Sequence, residues 1–574
     1  MKQINNVLFA TAFLSLSLSA AAQTAKTARK DSTLNRVVIV EKEYNPDIMD
    51  ASKVNVLPKV QEPSVSKKKI EYNTSVLPFS AFNDVMQPVT LNLGQEKAKK
   101  GYARLGYGNN GNVDAKINYL FNFSKRDQLG VSASLDGMNA TLKLPEIFET
   151  TYLNRDWKSR YYRSKLDVDY QHQFDKMTFD AAINMGTDNF NYHPFLVFET
   201  FDNFAAYTST DKQHHSKWDL HAGVKSMDKN LPLQFQAETD FLFFKQSYSS
   251  GLQSNPDRLT ERIWRTKGDV YGMINEEQQV GIKAEMNNVF YTSEYYKNYS
   301  SVELNPYYTF SNDLWKVRLG AHVDLSFGKG KGIQVAPDID VQYLFSKSYV
   351  AYLKIGGGRN LNDFRRLESL NPYSNFHFKQ LNNSYNQLDA VCGLKANVGT
   401  GFWFDVFSGY SVFTDDLCFL SLESNIYALP AVINSDTKHF YVGSNLKYNY
   451  KGIVDFSLKE TYYAWSKSGE APILMKPKFD FQFNADIKLL PELTLNAGYR
   501  YIKRNKVELI SPYGISGLIK LDPISDLSLG ATYDLFNGVS IFARINNILN
   551  QTYQYNYSYP AQGINFLGGV SFRF

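Results

Sequence analysis

The sequence predicts an all-β protein, a transmembrane antiparallel β-barrel of about 22 strands behind a short, mostly irregular N-terminal periplasmic segment. Three observations predict it. The N-terminus is built for export, the chain is rich in aromatics without being continuously apolar, and from Gly101 onward apolar and polar side chains alternate with a period of two.

The export signal comes first. Lys2 precedes an apolar run from Val7 to Leu18, and Ala20-Ala21-Ala22 supplies the small residues that a signal peptidase needs. Residues 1–22 therefore read as a cleavable signal peptide, and Gln23 as the first mature residue. The apolar run is too short to span a bilayer as a helix, and no cysteine follows the cleavage site to carry a lipid anchor.

Composition then selects among membrane classes. Aromatic residues make up 15% of the chain, with 39 Tyr and 40 Phe, yet the mean hydropathy is −0.36. No mature segment approaches the ~18 consecutive apolar residues of a spanning helix. A barrel escapes that signal because lipid-facing and lumen-facing residues alternate and average out, while Tyr and Phe collect at the two interfaces. A net charge of +5 on 574 residues implies no nucleic-acid partner. The two cysteines, Cys392 and Cys418, lie too far apart along an extended chain to meet easily, so two unpaired thiols are expected.

Residues 23–100 carry scattered prolines (Pro46, Pro58, Pro63, Pro78, Pro88) and the run Lys67-Lys68-Lys69, with no sustained periodicity. The barrel is expected over residues 101–574. Between Lys476 and Leu489, Phe479, Phe481, Phe483, Ala485, Ile487 and Leu489 share one face, and Asp480, Gln482, Asn484, Asp486 and Lys488 the other. A helix would scatter both sets around its axis. Trp315 to Phe327 and Val113 to Phe123 repeat the pattern. Short connections at 174–177, 345–348, 398–401 and 490–492 alternate with long ones at 137–162, 187–215, 246–264, 359–384 and 414–436, which places the short turns in the periplasm. A barrel of this size is too wide for its wall side chains to fill.

The last 50 residues add a resemblance. Leu529-Gly530-Ala531-Thr532-Tyr533, the tight Asn537-Gly538 turn, the alternating stretch from Val539 to Asn550 with Tyr553 after it, and the closing segment from Gly563 to Phe574 resemble the final strands of TonB-dependent receptors of Gram-negative outer membranes. The resemblance implies an outer-membrane protein whose Phe572 and Phe574 form the signal read by the barrel-assembly machinery. Ile564, Phe566, Val570, Phe572 and Phe574 would face lipid. Upstream, Val37, Val38, Ile39 and Val40, within the run 34–41, look like the segment where such receptors carry a TonB box. A β-branched run in a flexible tail suits pairing with the sheet edge of TonB. It equally suits a strand that packs in the barrel mouth or contacts another periplasmic protein. One departure stands out: the plug of that family is a much longer folded domain, whereas the mature segment before Gly101 has only 78 residues (101 − 23) and lacks Gly-rich plug motifs. The chain thus resembles plug-less or reduced-plug relatives, with the lumen occluded partly by residues 23–100 or by a separate protein.

Candidate ligand or lid contacts lie in the long connections. Tyr192, Phe195, Phe198 and Phe201 offer aromatic surface for sugar rings or a surface lipoprotein, or else anchor the rim. Arg365 and Arg366 sit in a mixed-charge segment, Arg359 to Phe378, that reads either as a contact surface or as a solvated, salt-bridged loop. Lumen-facing Arg318, Arg500, Arg544 and Arg573 either steer anions or belong to a charge-balanced wall with residues such as Asp455, Asp480 and Asp534.

Enzyme chemistry finds no foothold. There is no Gly-x-Ser-x-Gly, P-loop or His-Glu-x-x-His, and the pair His214-His215 reads as a loop without a nearby carboxylate cluster. No catalytic residue, cofactor or metal is expected. Two functions are consistent with the whole: a TonB-dependent-receptor-like protein for uptake of a nutrient across the outer membrane, and an outer-membrane scaffold or secretion/assembly barrel without small-molecule cargo.

Overall fold

In the computed structural model the described residues are 99–574, apart from 145–155, 193–196, 201–202, 206–211, 229–230, 249–258, 294, 347, 375–379, 399–400, 423–428, 468–474, 511–515 and 558. The signal peptide and the run Val37–Val40 lie outside them. So do Phe195 and Phe201.

Twenty-four strands share one sheet. Two of them, Val507–Ile510 and Ser516–Ile519, form a hairpin that belongs to a connection, which leaves 22 in the closed wall. These are β1 (Gly101–Gly108), β2 (Val113–Asn122), β3 (Asp127–Lys143), β4 (Asp156–Gln173), β5 (Met177–Asn191), β6 (Lys212–Ser226), β7 (Gln234–Gln246) and β8 (Leu259–Met273). Next come β9 (Gln278–Tyr291), β10 (Tyr299–Ser311), β11 (Trp315–Phe327), β12 (Ile333–Ser346), β13 (Tyr349–Asn360), β14 (Ser384–Val398), β15 (Phe402–Leu422) and β16 (Leu429–Tyr450). The circuit ends with β17 (Val454–Lys467), β18 (Pro477–Lys488), β19 (Leu493–Arg504), β20 (Ile524–Phe536), β21 (Val539–Asn546) and β22 (Asn565–Arg573). Neighbours in sequence pair antiparallel, and β1 pairs with β22 from Tyr102 opposite Arg573 to Gly108 opposite Leu567. Closure removes the free edge that an open sheet would present.

The two-residue period decides which face meets hydrocarbon. Trp218, Leu220, Phe241, Ile282 and Leu319 are exposed on the outer wall, as lipid-facing residues should be. At the periplasmic rim aromatics gather into a belt: Phe574 stacks on Tyr119 at 5.8 Å between ring centroids, and Trp315 on Tyr343 at 4.4 Å. Phe572 and Phe574 lie outward, and Ser571, just before Phe572, is turned in and buried. Cys392 is exposed on the outer face opposite Ser408, Cys418 is fully buried, and no disulfide joins them.

The inner face is charge-balanced. Arg318 pairs with Asp338 at 2.7 Å, Arg500 with Asp480 at 3.7 Å, and His221 sits between Asp180 and Asp240 at 2.7 and 2.6 Å. For Arg318 and Arg500 the wall-network reading holds.

The long connections are shorter than expected, because the strands run on into them. β3 and β4 extend to Lys143 and from Asp156, and β15 and β16 reach 21 and 22 residues. Alternation marks a strand only where one face meets hydrocarbon, whereas the backbone ladder continues above the bilayer without it. The rim is therefore uneven. It is tallest at β15–β16 and lowest beside the β1–β22 seam, where β1 and β21 have eight residues each.

Candidate functional site

On the extracellular side the chain's own β13–β14 connection packs across the mouth of the lumen. Residues 361–374 and 380–383 turn into the barrel, and Phe364–Leu370 forms a short helix, α1. The sequence prepares this turn locally. Asp363 caps the helix by accepting the Arg366 N–H at 2.8 Å, and Asn371 ends it by donating its backbone N–H to Leu367 O at 2.9 Å. Phe364, Leu367 and Leu370 then point in one direction at helical spacing and are buried.

What they meet spans the barrel. Phe364, Leu367 and Leu370 share one core with Phe244 and Leu259 of β7 and β8 on one side and Leu417 and Val432 of β15 and β16 on the other, completed by Met475, Leu521 and Tyr557 from three further connections. A solvated loop would have no reason to carry that apolar face. Of the two readings of the segment from Arg359 to Phe378, the solvated, salt-bridged loop keeps its ion pairs but not its solvation in the described residues. The charges in it are used to hold the helix against the wall rather than to keep it in water.

A continuous polar chain makes that attachment. Glu368 of α1 accepts from Lys217 of β6 at 2.6 Å and lies 2.7 Å from His215 Nδ1. Lys217 also pairs with Asp188 of β5, which accepts from Arg163 Nε of β4 at 2.8 Å and from the Tyr161 hydroxyl at 3.2 Å. Asp188 is fully buried, and so is His215. Two carboxylates alternating with two cations satisfy one another, which is the condition for tolerating charge in a buried place. His214 and His215, expected in a loop away from carboxylates, instead occupy β6 beside Asp188 and Glu368. The strand simply begins earlier than its alternation shows.

Arg365, expected as a ligand or lid contact, pairs with Asp219 and donates to the carbonyls of Trp218 and Phe243 at 2.9 Å each. Arg366 is held in a buried setting that lowers its pKa, with Asp416 and Asp363 opposing the shift. The Phe364 N–H donates to Glu261 of β8 at 2.9 Å, so the first turn of the helix is anchored as well.

Farther along, Tyr373 stacks on Tyr559 of the β21–β22 connection at 3.7 Å, and Trp157 and Phe190 meet Tyr373 edge-on. Tyr192 is part of this aromatic core, at 1% exposure. Phe198 lies in a two-stranded hairpin, Val197–Thr200 with Asn203–Ala205, for which the backbone alone is described. The residues that close the mouth without having been anticipated are Glu368, Lys217, His215 and Asp188. The i, i+3, i+6 spacing of Phe364, Leu367 and Leu370 was the one signal that could have found the helix.

No protein-family profile matches the chain, and no curated protein matches it in sequence. Solved structures do resemble it. A mutant of the ferric enterobactin receptor PfeA from Pseudomonas aeruginosa is similar with a TM-score of 0.63 at 12% identity, over 83% of this chain and 80% of that one. The FrpB iron transporter from Neisseria meningitidis gives 0.62 at 10% identity over 84% and 83%. The siderophore receptor PirA from Acinetobacter baumannii gives 0.62 at 10% over 84% and 81%. Such low identities speak for the fold. The protein is an outer-membrane β-barrel with a lipid-facing outer wall, and its closed 22-stranded wall has the fold of these receptors and transporters.

Proposed function

We propose that this protein is a gated outer-membrane transporter of the TonB-dependent-receptor type, taking up a nutrient through a lumen that its own β13–β14 connection closes. The observation that carries this reading is the apolar face of α1, buried between opposite walls of the barrel and tied to one of them through Glu368. A scaffold can be sealed by a permanent filling of its lumen, whereas a helix seated on the wall through a few side chains is a closure that can be released. A conduit needs such a releasable closure, because any barrel of ~22 strands left open would leak.

The segment from Val37 to Val40 is, in this reading, the strand offered to TonB or another periplasmic partner, and the barrel-assembly machinery inserts the chain by reading Phe572 and Phe574. A surface lipoprotein is the partner of the aromatic connection that carries Phe195, Phe198 and Phe201. The chemistry is passage and recognition rather than catalysis.

The test is planar-bilayer conductance of the mature protein beside a variant in which residues 361–383 are replaced by a short Gly/Ser linker. A small conductance in the first and a large one in the second is expected. Equal conductance would remove the closure reading. In cells, deleting residues 34–41 should abolish uptake while leaving the barrel assembled. Uptake unaffected by that deletion would exclude coupling through this segment.

A further inference from the structure

A cavity of about 130 Å3 lies beside the inserted loop, on the low-rim side of the barrel. It is bounded by β2, β3, β21 and β22, by the 547–564 connection and by Tyr373. The closing of the mouth does not account for its polar lining.

Arg544 of β21 lines the cavity, and among the described residues its guanidinium makes no ion pair and no hydrogen bond; its Nε is buried without a partner. The nearby acids are already engaged. Asp114 holds Arg104, and Asp526 accepts the Tyr553 hydroxyl at 2.7 Å and the Asn547 N–H at 3.1 Å. Across the cavity Ser159, at 0% exposure, has a hydroxyl that also lacks a partner. Buried polar groups in folded proteins are nearly always satisfied, and two orphans on one cavity point to a missing occupant. The other walls say what kind. Tyr373, Tyr555 and Tyr559 present ring surface, and Asp136 presents a carboxylate.

We propose that this cavity binds a small organic carboxylate that also carries a hydroxyl or ammonium donor. Its carboxylate pairs with Arg544, whose planar fork matches two oxygens at once. The donor faces Asp136, and the body of the ligand lies against the tyrosine rings. A doubly charged phosphate fits less well, because one cation would be left to balance two charges beside Asp136. Tyr373 belongs both to the cavity and to the inserted loop, so an occupant touches the closure directly. The assignment rests on the uptake reading only in naming the occupant as cargo.

The experiment measures binding to the purified, detergent-solubilised mature protein by calorimetry. Two matched pairs of probes separate the sources of the carboxylate: D-glucuronate against D-glucose for a sugar acid, and alanyl-alanine against its C-terminal amide for a peptide end. The acid of at least one pair should bind roughly tenfold or more tightly than its neutral partner. Arg544→Gln should erase that difference, and Arg544→Lys should keep part of it. Acids that bind no better than neutral partners would overturn the proposal, as would a difference that survives Arg544→Gln. Assembly of each variant is checked by its migration on unboiled gels. Should Arg544→Gln not assemble, Ser159→Ala tests the same wall: weaker binding of the acid supports the site, and unchanged binding counts against it. Because binding is read on the purified protein, binding without uptake in cells would defeat the transport reading and leave this one standing.

Discussion

Glu368 on the inserted helix and Lys217 on the barrel wall meet at 2.6 Å, 151 residues apart in sequence, and Lys217 passes the contact on to Asp188. One carboxylate on a short helix thereby ties the closure of the lumen to two wall strands. Glu368→Gln keeps the shape but removes the charge, leaving Lys217 with Asp188 alone. Breaking one member of a buried charge network costs roughly 3 kcal/mol. The variant is expected to show brief, frequent channel openings in planar bilayers where the parent is quiet, with the barrel itself intact on unboiled gels.

Phe364→Ala tests the apolar half of the same attachment. The side chain is 1% exposed and touches Phe244, Tyr291 and Tyr296. Truncating a buried Phe costs about 3–5 kcal/mol. Because the contacts lie between loop and wall, the loss is expected in the loop: faster protease cutting within residues 361–383, at an unchanged melting temperature of the barrel.

The stacked pair Tyr373 and Tyr559 joins the inserted loop to the β21–β22 connection. A double-mutant cycle to leucine on protease resistance should return a coupling of about 0.5–1.5 kcal/mol. A coupling near zero would mean that the two connections are held independently.

Much of the wall was legible in the sequence, and the reason is physical. Where one face meets hydrocarbon and the other water, each second residue declares its side, so Phe479 to Lys488 and Trp315 to Phe327 fell on their strands and the count of 22 held. The closure was not legible. The segment that carries Arg365 and Glu368 reads as a contact surface or a solvated loop because a charged segment looks the same in water as it does when its partners, Asp219 and Lys217, lie on strands that only the closed barrel brings near. Three apolar residues in seven are too few for a period to stand out.

A dependence on pH is expected from Lys329, in the turn between β11 and β12. Burial lowers its pKa to about 8, while its ammonium donates to Leu381 O in the inserted loop and lies 5.0 Å from the Tyr299 ring centroid. A lysine whose folded pKa lies below its unfolded value near ~10.4 binds fewer protons folded than unfolded between the two. Stability of this contact should therefore rise as pH increases from about 8 towards about 10, and be flat below. Protease resistance of the loop at pH 7, 8.5 and 10 checks it, and Lys329→Met should flatten the profile.

The two native thiols have a practical corollary. One is turned toward acyl chains at Cys392 and the other is sealed away at Cys418, which leaves neither within easy reach of a charged, water-borne maleimide. A sulfhydryl installed at the exposed Ser369, on the helix itself, would report against a nearly silent background. Its labelling rate in living cells, with and without an energised inner membrane, would show whether that helix leaves its seat.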